Sequence, residues 1–230
     1  MAQGLIMTGP KISLNKLGEY LTATPSRRKR IILDQQDPKA FIVARYSDAR
    51  AEIVQFLASG MDDDSSLIAS AKRLRSDRSG TDFACQDRIA SAEAIENFLE
   101  ASDKIQLEDL IVVPVENSSS ETMQISGVSV SIRPDAYLKD PVTGDIKGAI
   151  KLHFPKTTPL SEQAAEYVGA ATKVFLQQEK RSPVVDHRKC YVVDVSTQEV
   201  YSAPKSHVRK MNDIAAACEE IDARWKRGRG

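Results

Sequence analysis

One continuous stretch, residues 128–167, constrains the fold more than any other part of the chain. It opens with apolar residues at every second position, which predicts a strand with one buried face. Residues 140–145 have the composition of a hairpin turn, and residues 146–154 form an apolar returning strand. A helix is then predicted from Glu162 to about residue 178. Two antiparallel strands followed by a helix favour a sheet with helices packed on it.

The predicted secondary structure of the chain changes from mostly helical to mostly strand near residue 100. The segments before that point have helical periodicity, and the segments after it are mostly strands. Helices are predicted over 14–21, 26–32, 46–59, 65–75, 82–100 and 212–225, and strands over 110–115, 123–137, 190–195 and 200–201. This order predicts an α/β or α+β domain around one mixed sheet. We expect an N-terminal helical region, 1–81, followed by a core, 82–230, that ends in a helix and a basic tail.

Composition sets limits on partners and compartment. The chain has 230 residues with 32 basic and 32 acidic side chains, so no overall charge attracts it to nucleic acid. Three widely spaced cysteines match neither a zinc site nor a disulfide framework, which favours a reducing compartment. The N-terminus has no signal-peptide pattern, and no apolar run is long enough to cross a membrane. These features predict a cytoplasmic protein with no membrane partner.

Two polar residues interrupt the apolar strands in a way that predicts a site. Asp135 closes the first strand, and Lys151 lies within the returning strand, so the two side chains can meet across the hairpin. A carboxylate is a ligand that Mg²⁺ prefers, and a nearby lysine can stabilise charge on a phosphate. Each residue alone also has an ordinary explanation, because aspartate is common in turns and lysine is common on exposed strand faces.

Three short motifs together resemble the RecB-like branch of the PD-(D/E)XK nuclease superfamily. They are Arg133-Pro134-Asp135, Ala149-Ile150-Lys151 and a helix that carries Gln163 and Tyr167. The opening segment LNKLGEYLTATPSRRKR also resembles the start of such proteins, so the resemblance extends over about residues 12–195. It implies a restriction-endonuclease-like αβββαβ core and metal-dependent cleavage of DNA. In that scheme Asp135 and the backbone carbonyl of Ile150 bind Mg²⁺ or Mn²⁺, and Lys151, Gln163 and Tyr167 assist catalysis.

The chain departs from this family at two positions. Ala149 stands where the family has a glutamate ligand, and Thr24 stands where some relatives have a cysteine, so no iron–sulfur cluster is expected. A glutamate elsewhere could replace the missing ligand; the candidates are Glu166, Glu162, Glu96 and Glu116. Glu166 is preferred because it lies beside Tyr167 on the predicted helix. The ordinary alternative is that these glutamates are solvated side chains on helix surfaces.

A dense basic segment, Arg27, Arg28, Lys29 and Arg30, is the candidate nucleic-acid contact. The alternative is that Arg28 packs back on the core while its neighbours are solvated.

The leading expectation is a magnesium- or manganese-dependent DNA nuclease acting in phage or plasmid defence, recombination or repair. The alternative, favoured by Ala149, is a nuclease fold that has lost catalysis and serves as a DNA- or protein-binding subunit. RNA stays open as a substrate. The chain has no nucleotide-binding loop, so any ATP-driven step would belong to a partner such as an ATPase or helicase.

Overall fold

The computed structural model describes residues 9–36, 45–116 and 121–227. Its α-helices are α1 (Leu14–Thr22), α2 (Pro25–Gln36), α3 (Ser47–Ala58), α4 (Ser65–Ser76), α5 (Asp82–Ser102), α6 (Glu162–Gln178) and α7 (Val208–Arg227). Its strands are β1 (Lys11–Ser13), β2 (Ile111–Pro114), β3 (Thr122–Ile125), β4 (Val128–Ser131), β5 (Ala136–Lys139), β6 (Ile146–His153), β7 (Cys190–Asp194) and β8 (Glu199–Ser202). None of the helices in these ranges has the length and apolar character needed to span a bilayer.

A five-stranded mixed sheet forms the centre of the fold, in the order β2-β5-β6-β7-β8. Only the β6–β7 pair is parallel, and α6 supplies the crossover that a parallel pair requires. The predicted turn between β5 and β6 is confirmed, with the Asp140 N–H donating to the Asp145 carbonyl at 2.9 Å. The bounds of α6 also agree with the sequence prediction, because Ser161 caps its first turn by accepting from the Ala164 N–H.

A second sheet of three strands, in the order β1-β4-β3, was not predicted. The alternating segment that we expected to form one strand over 123–137 is divided into β3, β4 and β5. Ser126 and Gly127 both have positive φ, at 44° and 81°, and they make the turn between β3 and β4. A period of two identifies the buried face of a strand but not the sheet to which the strand belongs.

The central sheet lies between two buried clusters, one on each face. Successive residues of β6 show this arrangement, since Ala149 packs in one cluster and Ile150 in the other. The first cluster joins α1, α6, α7 and the three-stranded sheet, and the second joins α3, α4 and α5. Both clusters contain residues from before and after position 81. The mixed α/β class is therefore confirmed, as three layers with the sheet in the middle.

Candidate functional site

A cleft of about 820 Å³ lies where the first turns of α1 and α3 meet the loop that leads into β5. Its walls come from the start of α1, from α3 and the residues just before it, from the ends of β2 and β4, from the loop before β5 and from β6. Its lining residues are Ser13, Asn15, Arg45, Ser47, Arg50, Ala51, Val54, Gln55, Pro114, Val115, Glu116, Ser131, Arg133, Pro134, Asp135 and Lys151. The structure thus brings the predicted pair Asp135 and Lys151 together in one concave site.

Asp135 is held by protein donors on both oxygens of its carboxylate. Its side chain is only 4% exposed. The Leu152 N–H donates to Oδ2 at 2.7 Å, and the Arg50 guanidinium donates to Oδ1. Its backbone N–H donates to the Ile150 carbonyl at 2.8 Å, so this carbonyl, a predicted metal ligand, already accepts a hydrogen bond. The carboxylate is therefore stabilised as an anion by contacts within the protein.

Lys151 projects into the same cleft. Its Nζ donates to the Arg133 carbonyl at 2.6 Å and lies 4.0 Å from Asp135 Oδ2. Arg133 presents that carbonyl from a backbone conformation with positive φ. Burial, with smaller contributions from the neighbouring charges of Arg50 and Arg133, lowers the pKa of Lys151 to about 7. Lys151 is therefore a group whose charge changes near neutral pH.

Arg50 is the cation closest to Asp135, and sequence reasoning missed it. It lies in the first turns of α3, and its guanidinium sits over the Phe154 ring, 4.9 Å from the centroid. Phe154 in turn stacks on Tyr46, with centroids 5.4 Å apart. Burial lowers the pKa of Arg50 to about 10, with a smaller contribution from Arg133, so the side chain stays charged at neutral pH. The contact with Asp135 spans 85 positions, so no local pattern could have shown it.

The lining of the cleft carries more positive than negative charge. The bases are Arg45, Arg50, Arg133 and Lys151, and the acids are Glu116 and Asp135. Both α1 and α3 begin at the cleft, and neither has a side-chain cap at its N-terminus. The N–H groups of an uncapped first turn are donors that favour anions. Charge and helix direction therefore suit a bound anion.

Asn15, in the first turn of α1, adds a polar group that sequence reasoning also missed. Its Nδ2 donates to the Leu152 carbonyl at 3.1 Å. Its Oδ1 is buried, and it has no hydrogen-bond partner among the described residues. This oxygen is an acceptor held at the wall of the cleft.

The metal site implied by the family resemblance does not fit these side chains. Asp135 has both oxygens engaged, Ala149 provides no oxygen, and Glu116 is the other carboxylate among the described lining residues. Within the ranges that the structure describes, no group of three or more His, Cys, Asp or Glu is placed to hold a metal ion. A divalent cation at Asp135 would compete with the guanidinium of Arg50 for the same oxygen.

Two of the four candidate residues of α6, Tyr167 and Glu166, make contacts with α7. Tyr167 donates its hydroxyl to Asp213 Oδ2 at 2.9 Å, and Glu166 pairs with Lys210 at 2.5 Å. The Lys210 Nζ also lies over the Tyr167 ring. Glu162 and Gln163 are exposed. None of these α6 residues lines the cleft, so the structure does not join them to Asp135.

Glu96 also lies away from the cleft lining and pairs with Arg75 of α4. Glu96 is therefore an exposed acid on a helix surface, as the ordinary alternative predicted, and its ion pair with Arg75 is an addition to that prediction.

The basic segment that follows α1 is largely engaged within the protein. Arg28 donates to the carbonyls of Tyr20 and Leu21 at 3.0 and 3.2 Å, as the packing alternative predicted. The other two arginines pair with acids, Arg27 with Glu19 and Arg30 with Asp34, while Lys29 is exposed. The helix itself begins at Pro25, one residue before the start of the predicted helix over 26–32, because proline suits the first helical position.

Comparison of the chain with protein-family models, with curated proteins and with solved structures found no significant match.

Proposed function

We propose that this protein binds nucleic acid through its phosphate backbone, using a RecB-like PD-(D/E)XK architecture without cutting the strand. The observation that carries the proposal is the cleft itself. Three basic side chains, Arg50, Arg133 and Lys151, line it around an aspartate whose charge is already paired with Arg50.

The order of the elements supports this architecture. The chain runs α5, β2, β5, β6, α6, β7 through the central sheet, with β3 and β4 diverted to the second sheet. Antiparallel pairs join β2 to β5 and β5 to β6, and α6 leads to a parallel pair between β6 and β7. With β3 and β4 set aside, this order agrees with the αβββαβ order that the family resemblance implies. Asp135 lies just before β5, and Lys151 lies within the neighbouring strand β6.

The chemistry of the cleft supports phosphate as the ligand. Guanidinium groups form strong, directional hydrogen bonds with phosphate oxygens, and first-turn N–H groups add further donors. Contacts of this kind bind the backbone whatever the base sequence, so single-stranded DNA, duplex DNA and RNA are all ligands to compare. The neutral charge of the whole chain confines the attraction to this local surface.

The test is fluorescence anisotropy with labelled single-stranded DNA, duplex DNA and RNA, measured over a range of salt concentrations. We compare the wild type with Arg133→Gln and with a matched control, Arg73→Gln. Arg73 lies on α4, pairs with Glu52 at 2.9 Å and does not line the cleft.

We expect Arg133→Gln to weaken binding and to reduce the salt-dependence slope by about 0.7 for a single strand, the value for one lost phosphate contact. Arg73→Gln should bind as the wild type does. Equal losses in the two variants, or no binding by folded wild-type protein, would contradict the proposal.

Metal-dependent cleavage is the second candidate, and it requires a divalent cation to displace Arg50 from Asp135. One observation favours it: Lys151 lies 4.0 Å from Asp135, with Glu116 in the same cleft. Incubation of the protein with linear and circular DNA in the presence of Mn²⁺ distinguishes cleavage from binding alone. Cleavage that is lost in Asp135→Asn would favour this candidate over binding alone.

A further inference from the structure

The ion pair between Arg50 and Asp135 occupies the position at which the family resemblance places a metal. Oδ1 of Asp135 accepts from the Arg50 guanidinium, and Oδ2 accepts from the Leu152 N–H at 2.7 Å. One lone pair on each oxygen is already directed at a donor of the protein, and a divalent cation bound to Oδ1 would lie beside the positive charge of the guanidinium. Guanidinium and metal are therefore alternatives at this aspartate.

Arg50 is held in position by aromatic packing as well as by charge. Its guanidinium lies 4.9 Å from the centroid of the Phe154 ring, and Phe154 is itself buried and stacked on Tyr46 with an angle of 16° between the rings. A guanidinium stacked on a ring keeps its plane fixed while its N–H groups stay available at the edges. This arrangement sets the cation beside Asp135 before any ligand arrives.

The Arg50 side chain is only partly buried, so part of it remains accessible to a ligand. It is 41% exposed, whereas that of Asp135 is 4% exposed. A guanidinium has five N–H donors, so donors remain after the contact with one carboxylate. They open to a cleft in which Arg133 and Lys151 provide further positive charge.

We propose that Arg50 takes the place of a divalent cation at Asp135, so that the cleft binds phosphate groups without metal. The claim that the ligand is a phosphate group rests on the proposed function. The claim that Arg50 replaces a metal rests only on the contacts of Asp135. Ala149 agrees with it, because a site that holds a guanidinium has no need of the second carboxylate that a metal requires.

The first experiment measures metal binding without nucleic acid. Mn²⁺ is titrated by calorimetry into the wild type, Arg50→Ala, Arg50→Ala with Asp135→Asn, and the control Arg45→Ala. Arg45 lines the same cleft but packs over Phe83, 5.6 Å from its centroid, so its removal lowers the charge equally without uncovering Asp135.

We expect Arg50→Ala to bind Mn²⁺ at least about tenfold more tightly than the wild type, because it removes a competing cation and frees a carboxylate oxygen. The gain should be absent in Arg45→Ala and lost again in the double variant. An equal affinity in wild type and Arg50→Ala, or a gain that survives Asp135→Asn, would overturn the proposal.

Circular dichroism establishes that each variant is folded before titration. Arg50→Gln is measured in parallel, because it removes the charge but keeps a hydrogen-bond donor to Asp135. If Arg50→Ala does not fold, Arg50→Gln decides by the same criterion of tighter Mn²⁺ binding that depends on Asp135.

The second experiment concerns the ligand. Anisotropy with a labelled oligonucleotide is measured in EDTA and in Mg²⁺ at matched ionic strength, and Mg²⁺ should not strengthen binding, because it acts only as a competing counterion. Mg²⁺ that strengthens wild-type binding tenfold or more would overturn metal-independent binding. If the wild type binds no oligonucleotide at all, the proposed function fails, while the Mn²⁺ titration still decides whether Arg50 replaces a metal.

Discussion

Replacing Gly148 with alanine tests the close approach between β6 and the turn that precedes β7. A Cβ at Gly148 would lie 2.1 Å from the carbonyl oxygen of Lys189 and 2.5 Å from its carbonyl carbon. Both are backbone atoms, so a rotation of a side chain cannot relieve the contact. Lys189 is itself anchored, since its N–H donates to the Asp186 carbonyl and its Nζ to the Gln106 carbonyl.

The size of the effect follows from this geometry. Overfilling a packed interior costs about 1–3 kcal/mol, and an obstruction made of anchored backbone favours the upper end. We therefore expect Gly148→Ala to lower the free energy of unfolding by about 3 kcal/mol. For a chain of this size that corresponds to a fall in Tm of about 6–12 °C.

Urea unfolding is followed by the fluorescence of Trp225, the only tryptophan in the sequence, which is buried in the first core cluster. Gly9→Ala is the matched control, because a Cβ there meets nothing within 4 Å. That variant should stay within about 0.5 kcal/mol of the wild type. A Gly148→Ala protein as stable as Gly9→Ala would refute the idea that β6 needs a residue without a side chain here.

Three further predictions concern charged and polar contacts elsewhere in the fold. Lys180→Met should lower the free energy of unfolding by about 2 kcal/mol, because it leaves the buried Glu121 carboxylate without the ammonium that lies 2.7 Å away. In urea unfolding, the double variant with Glu121→Gln should regain part of the lost stability. Tyr167→Phe should cost about 1 kcal/mol by removing the hydrogen bond to Asp213, and anisotropy should show unchanged oligonucleotide affinity. Burial lowers the pKa of Lys151 from 10.5 to about 7, so the unfolded chain binds the proton more tightly than the folded one. Stability of the wild type relative to Lys151→Met should therefore rise as pH increases from about 7 towards 10.5, and urea midpoints that stay parallel over this range would contradict it.

Several elements could be predicted from the sequence because their signals are local. Ser161 caps α6 within a few residues of the helix that it begins, and the turn at 140–145 is defined by its own residue types. Asp135 and Lys151 could be paired in advance because a hairpin joins their strands, which places them on neighbouring strands.

The parts of the fold and of the site that could not be predicted from the sequence depend on contacts between distant segments. The three-stranded sheet requires β1 to pair with β4, and the alternation of β4 gives no indication of that partner. Arg50 is one arginine among several on predicted helices, and only the folded chain shows that it reaches Asp135. Glu166 and Tyr167 of α6 were predicted to belong to the site with Asp135. The structure instead pairs them with residues of α7, a segment far along the chain.

The pairing of Arg50 with Asp135 also restricts the order in which this sequence can change. A substitution of Arg50 alone leaves an almost fully buried carboxylate without its strongest partner, and a substitution of Asp135 alone leaves the Leu152 N–H and a cluster of cations without their shared acceptor. Either single step passes through a less stable protein than the one before it or the one after both changes. A sequence that gained a metal site at this position would therefore have to exchange the arginine and acquire a second carboxylate almost together.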